Sequence, residues 1–243
     1  MANKNDNRNS ELFNSFWEAS KYSPYNIKEF AKTQESYSAK DKPESILEYP
    51  YLPKKLILPK NSVNRLAGKR KSERTFSTKP LSKRELGTLL SSFYAYNDLE
   101  HRSYPSAGAS YAVEIFCVAN NVTDFSGKIL YYNPDIHAIS IIGEAPSWDV
   151  IANNINVPTT GIPQCIIIFV LFSDRLTTKY LERGGRFGII EVGAAMQQLA
   201  IQIAGSKKLK GVAAGGLIDD FWLKILELDE QESKVALGYL CGI

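Results

Sequence analysis

Asp174-Arg175-Leu176-Thr177-Thr178-Lys179-Tyr180-Leu181-Glu182-Arg183-Gly184-Gly185-Arg186 is the stretch on which the reading of the fold turns. Before it lies an almost wholly apolar run, Gln164 to Phe172, and after it a small-residue helical pattern from Gly188 to Ala204. The run is apolar at odd and even positions alike, so it reads as a strand covered on both faces, central in its sheet. In the helical pattern Ile189, Val192, Met196, Leu199 and Ile203 fall at helical spacing. Gly188, Gly193, Ala194 and Ala195 leave room for close approach by another element. A charged, glycine-bearing connection between a buried strand and a buried helix is where an α/β protein keeps working groups. Lys179 is followed by Tyr180, with Arg183 and Arg186 close behind. A lysine crowded by cations and partly desolvated can lose its proton near neutral pH, as a base must. Taken alone, the pair reads as well as a solvated lysine beside a half-buried tyrosine.

Upstream, Ser10 is placed to cap a short helix through Glu18, with Leu12, Phe13, Phe16 and Trp17 on one face. Residues 1–9 read as disordered, and 23–60 as a proline-bearing arm ending in Tyr49-Pro50-Tyr51-Leu52-Pro53 and Leu56 to Pro59. We therefore expect an arm at 1–60 and one domain at 61–243. Arg70-Lys71-Ser72-Glu73-Arg74 offers guanidinium, ammonium and hydroxyl donors suited to a phosphate. Ser82-Lys83-Arg84-Glu85 has the form of a capping box and opens a helix with Leu86, Leu89, Leu90 and Phe93 on one face. Pro105-Ser106-Ala107-Gly108-Ala109 is a tight loop, and Gly215-Gly216 a second site with bare backbone N–H groups, as a flat polar ring would require. Val113 to Ala119, Ile129 to Tyr132, Ala138 to Ile142 and Val235 to Cys241 read as strands, with a turn at Asn133-Pro134-Asp135 and a short helix begun by Asp219 or Asp220.

Composition narrows the chemistry. A hydrophobic content of 44% and a charged content of 23% are those of a soluble globular protein. The net charge of +3 over 243 residues gives no signal for nucleic acid. No apolar run approaches the roughly 20 residues needed to span a bilayer, and the polar N-terminus carries no apolar signal core. Two histidines are too few for a convincing metal site. Cys117, Cys165 and Cys241, far apart and each in a strand-like run, read as buried free thiols of a cytoplasmic chain. Neither GxGxxG nor a Walker sequence is present.

Arg70-Lys71-Ser72-Glu73-Arg74-Thr75-Phe76 resembles the R-x-S-x-R-x-F phosphate segment of the flavin-dependent nitroreductase superfamily. More narrowly, Tyr104 to Tyr111 with Glu114 resembles the P-S-A-G-A-x-Y-P-x-E loop of SagB-type dehydrogenases. Phe16 to Tyr22, Tyr49 to Pro59, Lys179-Tyr180, Arg183-Gly184-x-Arg186, Glu191-Val192-Gly193 with Gln197, and Gly215-Gly216 with Asp219 continue the resemblance in order. It implies an α+β nitroreductase-like fold, a mixed and mainly antiparallel central sheet flanked by helices, in an intertwined homodimer with FMN at the interface. It also implies oxidation of thiazolines and oxazolines to thiazoles and oxazoles in a ribosomally made precursor peptide, after a YcaO-type cyclodehydratase has closed the rings. Carried over, Arg70, Lys71, Ser72 and Arg74 would hold the FMN phosphate and ribityl chain. Pro105, Ser106, Ala107 and Gly108 would line the flavin from the other subunit, and Gly215 or Gly216 would point an N–H at flavin N5. Lys179 would be the base and Tyr180 its partner. Ala112 stands where the pattern has proline and Gly185 where it has an aromatic; the sequence ends Cys241-Gly242-Ile243, where many nitroreductases carry a basic residue. An NAD(P)H-dependent nitroreductase or quinone reductase, and a non-catalytic scaffold of a modification complex, are the alternatives.

Overall fold

The computed structural model describes residues 11–28, 32, 66–96 and 101–243. Ser10, Tyr49 to Pro59 and the expected boundary at residue 60 lie outside the described residues. Helix α1 (Glu11–Ser20) is followed by α2 (Lys83–Leu90) and a two-stranded ribbon, β1 (Ala95–Tyr96) with β2 (His101–Arg102). Strands β3 (Val113–Ala119), β4 (Lys128–Asn133) and β5 (Ala138–Glu144) come next. Helix α3 (Trp148–Ala152), strand β6 (Cys165–Leu171) and helices α4 (Asp174–Tyr180) and α5 (Glu182–Gly205) follow. Strand β7 (Lys210–Ala214), helix α6 (Asp219–Ile225) and strand β8 (Lys234–Gly242) complete the described elements.

Six strands form one sheet in the order β5-β4-β3-β6-β8-β7, each neighbouring pair antiparallel. Every residue of β3 and β6 is buried because both faces of the sheet are covered. Cys165, Ile167, Phe169 and Leu171 of β6 pack with Leu86 and Leu89 of α2 and Ala195 and Leu199 of α5. Ile166, Ile168 and Val170 face the other way, onto Ile151 of α3 and Trp222 and Leu223 of α6. The unbroken apolar run is thus the signature of two-sided burial. The capping box forms: the Glu85 N–H donates to Ser82 Oγ at 3.2 Å and the Ser82 N–H to Glu85 Oε2 at 2.9 Å. Such a cap stabilises a helix start by about 1 kcal/mol.

The connection quoted at the outset differs from a loop. Asp174–Tyr180 is helical, and α5 starts at Glu182 rather than Gly188. The whole break is Leu181, at φ 52° and ψ −144°, a conformation that costs a side-chain-bearing residue strain energy. Gly184 explains why the two helices can meet so sharply: a Cβ there would lie 2.6 Å from the Leu176 carbonyl carbon. Helix α5 is the one described helix long and apolar enough to cross a membrane by length and composition. Here Gly188, Val192, Ala195, Leu199 and Ile203 are buried, in a helix packed beside the sheet. Exposed Ile189 and Ile190 lie on the same helix.

Helix α1 docks on the start of α5. Glu182 accepts the N–H groups of Leu12 and Phe13 at 3.1 and 3.0 Å, and a Cβ at Gly185 would fall on the Phe13 ring. Beyond the helix, Lys21 pairs with Glu18 at 2.9 Å and Asp220 at 3.5 Å. The three cysteines are free, buried and brought together on adjacent strands, with Ala119 opposite Cys165 and Cys165 opposite Cys241.

Candidate functional site

Lys179 and Tyr180 close the last turn of α4, immediately before the strained residue Leu181. The Lys179 ammonium stands 5.3 Å from the Tyr180 ring centroid, and the Tyr180 ring meets Phe187 of α5 edge-on at 5.1 Å. From the sequence alone, this lysine is expected to be partly buried and crowded by arginines. It is exposed, as are Arg183 and Arg186 on the first turns of α5, so the described residues of one chain do not supply that desolvation.

What does meet the pair is the small-residue loop. A Cβ at Gly108 would fall on the Lys179 Nζ and the Tyr180 hydroxyl. Gly108 has φ 58°, which glycine adopts without cost and a residue with a side chain does not, and any Cβ there would push the two side-chain tips aside. Two groups separated by 71 positions in the chain thereby share one surface.

The loop is held from behind by a carboxylate. Glu191 of α5, 1% exposed, accepts from Ser106 Oγ at 2.5 Å and from the Val113 N–H at 3.1 Å. Ser106 Oγ in turn accepts the Tyr111 N–H at 2.8 Å. Burial pushes the Glu191 carboxyl above its ordinary value, against the hydrogen bonds from Ser106, Val113 and Ala112 that favour the ion. A second brace comes from α4: Arg175 donates to the Tyr111 carbonyl at 3.0 Å and pairs with Glu114 at 2.5 Å. Arg102 lies 4.6 Å from the Tyr111 ring centroid and donates to Tyr104 Oη at 3.1 Å. Burial lifts the Tyr104 phenol to about 12, and burial with the adjacent Glu114 lifts Tyr131 to about 12, so both are neutral hydrogen-bonding groups at neutral pH. These braces tolerate positive φ at Ala109 (53°) and Tyr111 (42°), neither a glycine. Glu191 was part of the sequence resemblance, but nothing in the sequence paired it with Ser106, 85 positions away.

The basic segment sits elsewhere, along the sheet edge. Its main chain is fixed: the Glu73 N–H donates to the Gly211 carbonyl of β7 at 2.9 Å, and Arg74 and Phe76 exchange hydrogen bonds with Thr160. Its side chains Arg70, Lys71, Ser72 and Arg74 are exposed. Lys71 pairs with Glu73 at 3.3 Å and lines a cleft from whose wall Arg70, Ser72 and Arg74 are absent, so the structure separates Lys71 from the other three. Strand β7 runs from this segment to Gly215-Gly216, a span of about 13 Å at strand rise. A Cβ at exposed Gly215 would meet nothing within 4 Å, whereas Gly216 is buried against Asn156. Exposed guanidiniums at one end of an edge strand and bare backbone at the other suit a phosphate-bearing planar cofactor. Among the described residues no group of histidine, cysteine or carboxylate side chains could hold a metal ion.

Residues 67–242 match the nitroreductase family. A Methanocaldococcus jannaschii protein named as a nitroreductase is 30% identical over 166 residues, 67% of this chain and 82% of that protein. The microcin B17-processing protein McbC of Escherichia coli is 24% identical over 136 residues, 54% of this chain and 50% of McbC. A chain of the E. coli microcin synthetase McbBCD complex, solved with truncated pro-MccB17 bound, superposes with a TM-score of 0.72 at 19% identity, over 96% of this chain and 97% of that one.

Proposed function

The chain belongs to the nitroreductase family of oxidoreductases, and we propose that within it the protein is an FMN-dependent dehydrogenase that oxidises thiazoline and oxazoline rings of a modified precursor peptide to thiazole and oxazole. The observation that carries this reading is the meeting of Lys179, Tyr180 and Gly108. A general reductase needs only a cofactor and room for a second substrate. A ring dehydrogenase also needs a base beside the cofactor, because a proton must leave the carbon α to the ring carbonyl as hydride leaves the β-carbon. The relationship to McbC, a protein named for microcin processing, supports a peptide substrate.

FMN, when bound, supplies the acceptor of the hydride. Arg70, Ser72 and Arg74 would hold its phosphate, and exposed Gly215, with no side chain in the way, would leave room for its ring. Lys179 takes the α-proton on Nζ. Tyr180 orients that ammonium, and its own ring is steadied edge-on by Phe187. Ser106 and Glu191 hold the loop so that Gly108 closes over the pair. Desolvation of Lys179 comes from what covers it in the working assembly. Only 39% of the most apolar window of α5 is buried in a single chain, which supports a homodimer formed through that helix. A YcaO-type cyclodehydratase provides the rings.

The test is mass spectrometry of a cyclodehydrated peptide, in which each oxidised ring loses two hydrogens, about 2 Da, by the stoichiometry of the reaction. Lys179→Ala is expected to stay folded and yellow while the rate falls by about 10²–10⁴-fold, the usual cost of losing a general base. Azole formation at the wild-type rate by Lys179→Ala refutes the base assignment. Turnover of NADH with a quinone by a wild type that leaves azolines untouched replaces the reading with that of a general reductase, as the M. jannaschii relative is named.

A further inference from the structure

Three separate elements bring ammonium groups to one cleft of about 340 Å3. Lys69 and Lys71 come from the chain leading into Arg74, Lys207 and Lys208 from the turn after α5, and Lys210 from the start of β7. Glu73 is the single carboxylate in the wall, and it is already paired with Lys71. The carbonyl-rich end of α5 attracts cations and accounts for Lys207 and Lys208. It does not account for Lys69, Lys71 and Lys210, which other elements carry to the same place against mutual repulsion.

We infer that this cleft binds a phosphate monoester. A small oxyanion carrying nearly two charges answers an excess of four ammonium groups, where a single carboxylate would not. Ser206 supplies a directional group: its Oγ already accepts the N–H groups of Lys208 and Leu209, each at 3.1 Å, which leaves its O–H to donate outward. Two sources share this chemistry. One is the phosphate of the proposed flavin, which the cleft's lysines would hold jointly with Arg70, Ser72 and Arg74, since Lys71 and Glu73 of the cleft wall alternate with those three along the chain; the other is a separate phosphate ester. The first source rests on the flavin reading, the second does not.

Lys207→Gln/Lys208→Gln/Lys210→Gln removes three of the charges while keeping most of each stem; Lys207 and Lys208 are exposed, so folding, checked by circular dichroism, is retained. Flavin-stripped wild type and variant are titrated with FMN and with riboflavin by fluorescence, and flavin-loaded protein with inorganic phosphate by calorimetry. If the flavin's phosphate occupies the cleft, FMN affinity drops about tenfold or more in the variant and riboflavin affinity does not move. If a separate phosphate does, FMN affinity is equal in both proteins and the heat of phosphate binding seen with wild type vanishes in the variant. Equal FMN affinity, with phosphate binding either absent from wild type or unchanged in the variant, overturns the inference. A wild type that binds neither flavin defeats the flavin reading, and the phosphate titration then decides the cleft by itself.

Discussion

The Tyr104–Tyr111 loop and the Arg70–Arg74 segment are built in opposite ways. The loop is gripped by side chains arriving from distant parts of the chain, Glu191 from α5 and Arg175 from α4, and it carries strained residues that those grips tolerate. Among the described residues, the segment's ties to the rest of the fold are main-chain ones, to β7 and Thr160, and Arg70, Lys71, Ser72 and Arg74 are exposed. The contrast follows from what each region has to do. On the proposed reading, proton transfer at Lys179 would depend on placement to within an ångström. Attraction of an anion acts over several ångströms and tolerates loose side chains. Rigidity is therefore concentrated at one end of the site, and charge at the other.

Glu191→Ala strikes the gripped region and should have the largest effect on the fold. It leaves the donors of Ser106, Val113 and Ala112 buried without their acceptor. At about 1–3 kcal/mol per unsatisfied group, a loss of roughly 3 kcal/mol or more is expected in urea unfolding. A loss under about 1 kcal/mol would mean that the loop is held by something other than this carboxylate. Arg70→Ala/Arg74→Ala strikes the charged region. FMN affinity should fall about 10²-fold, from two charge-assisted hydrogen bonds, while the melting temperature of the flavin-free protein stays put because both side chains are exposed. Full flavin occupancy in the double variant would erase the contrast.

The smallest effect concerns Asp219, which follows Gly215-Gly216 and anchors the chain after α1 by accepting from the Trp17 indole and the Tyr22 N–H. Burial pushes its carboxyl up from 3.8 to about 6 in spite of those donors and the nearby Lys21. A raised folded value means that the native state binds the proton more tightly than the unfolded chain. Stability from this group is then fully present below about 3.8 and is lost as pH rises through about 6. Wild type should gain on Asp219→Asn as pH is lowered from 7 to 5, and a difference in melting temperature that is flat with pH would contradict the assignment.

Much of the fold was legible because its cues are local. The two-sided apolar run of β6 and the Ser82–Glu85 cap of α2 declare themselves within ten residues. Helix α5 was read as starting six residues late, because Gly184 and Gly185 look like helix breakers. Their bareness serves packing instead, against Leu176 and Phe13. Strand β7, Lys-Gly-Val-Ala-Ala, carries too few β-branched residues to announce a strand, and α3 and the β1–β2 ribbon are too short to show a period. At the site, each piece was visible and the joins were not. No rule of spacing brings Gly108 to Lys179, Glu191 to Ser106, or Lys69 to Lys208, since sheet order sets those encounters.

Cys117, Cys165 and Cys241 sit on β3, β6 and β8, three successive strands of the four inside the sheet, each at most 1% exposed. The hydrogen bond with Cys165, with burial, raises the Cys117 thiol, and burial raises the Cys241 thiol, both well above their ordinary values, so these two are poor nucleophiles as well as inaccessible ones. Any reagent or oxidant that reaches these sulfurs has first to wait for the middle of the sheet to part. The rate at which they are labelled is accordingly a clock for the opening of the sheet, and it can be read without disturbing either end of the site.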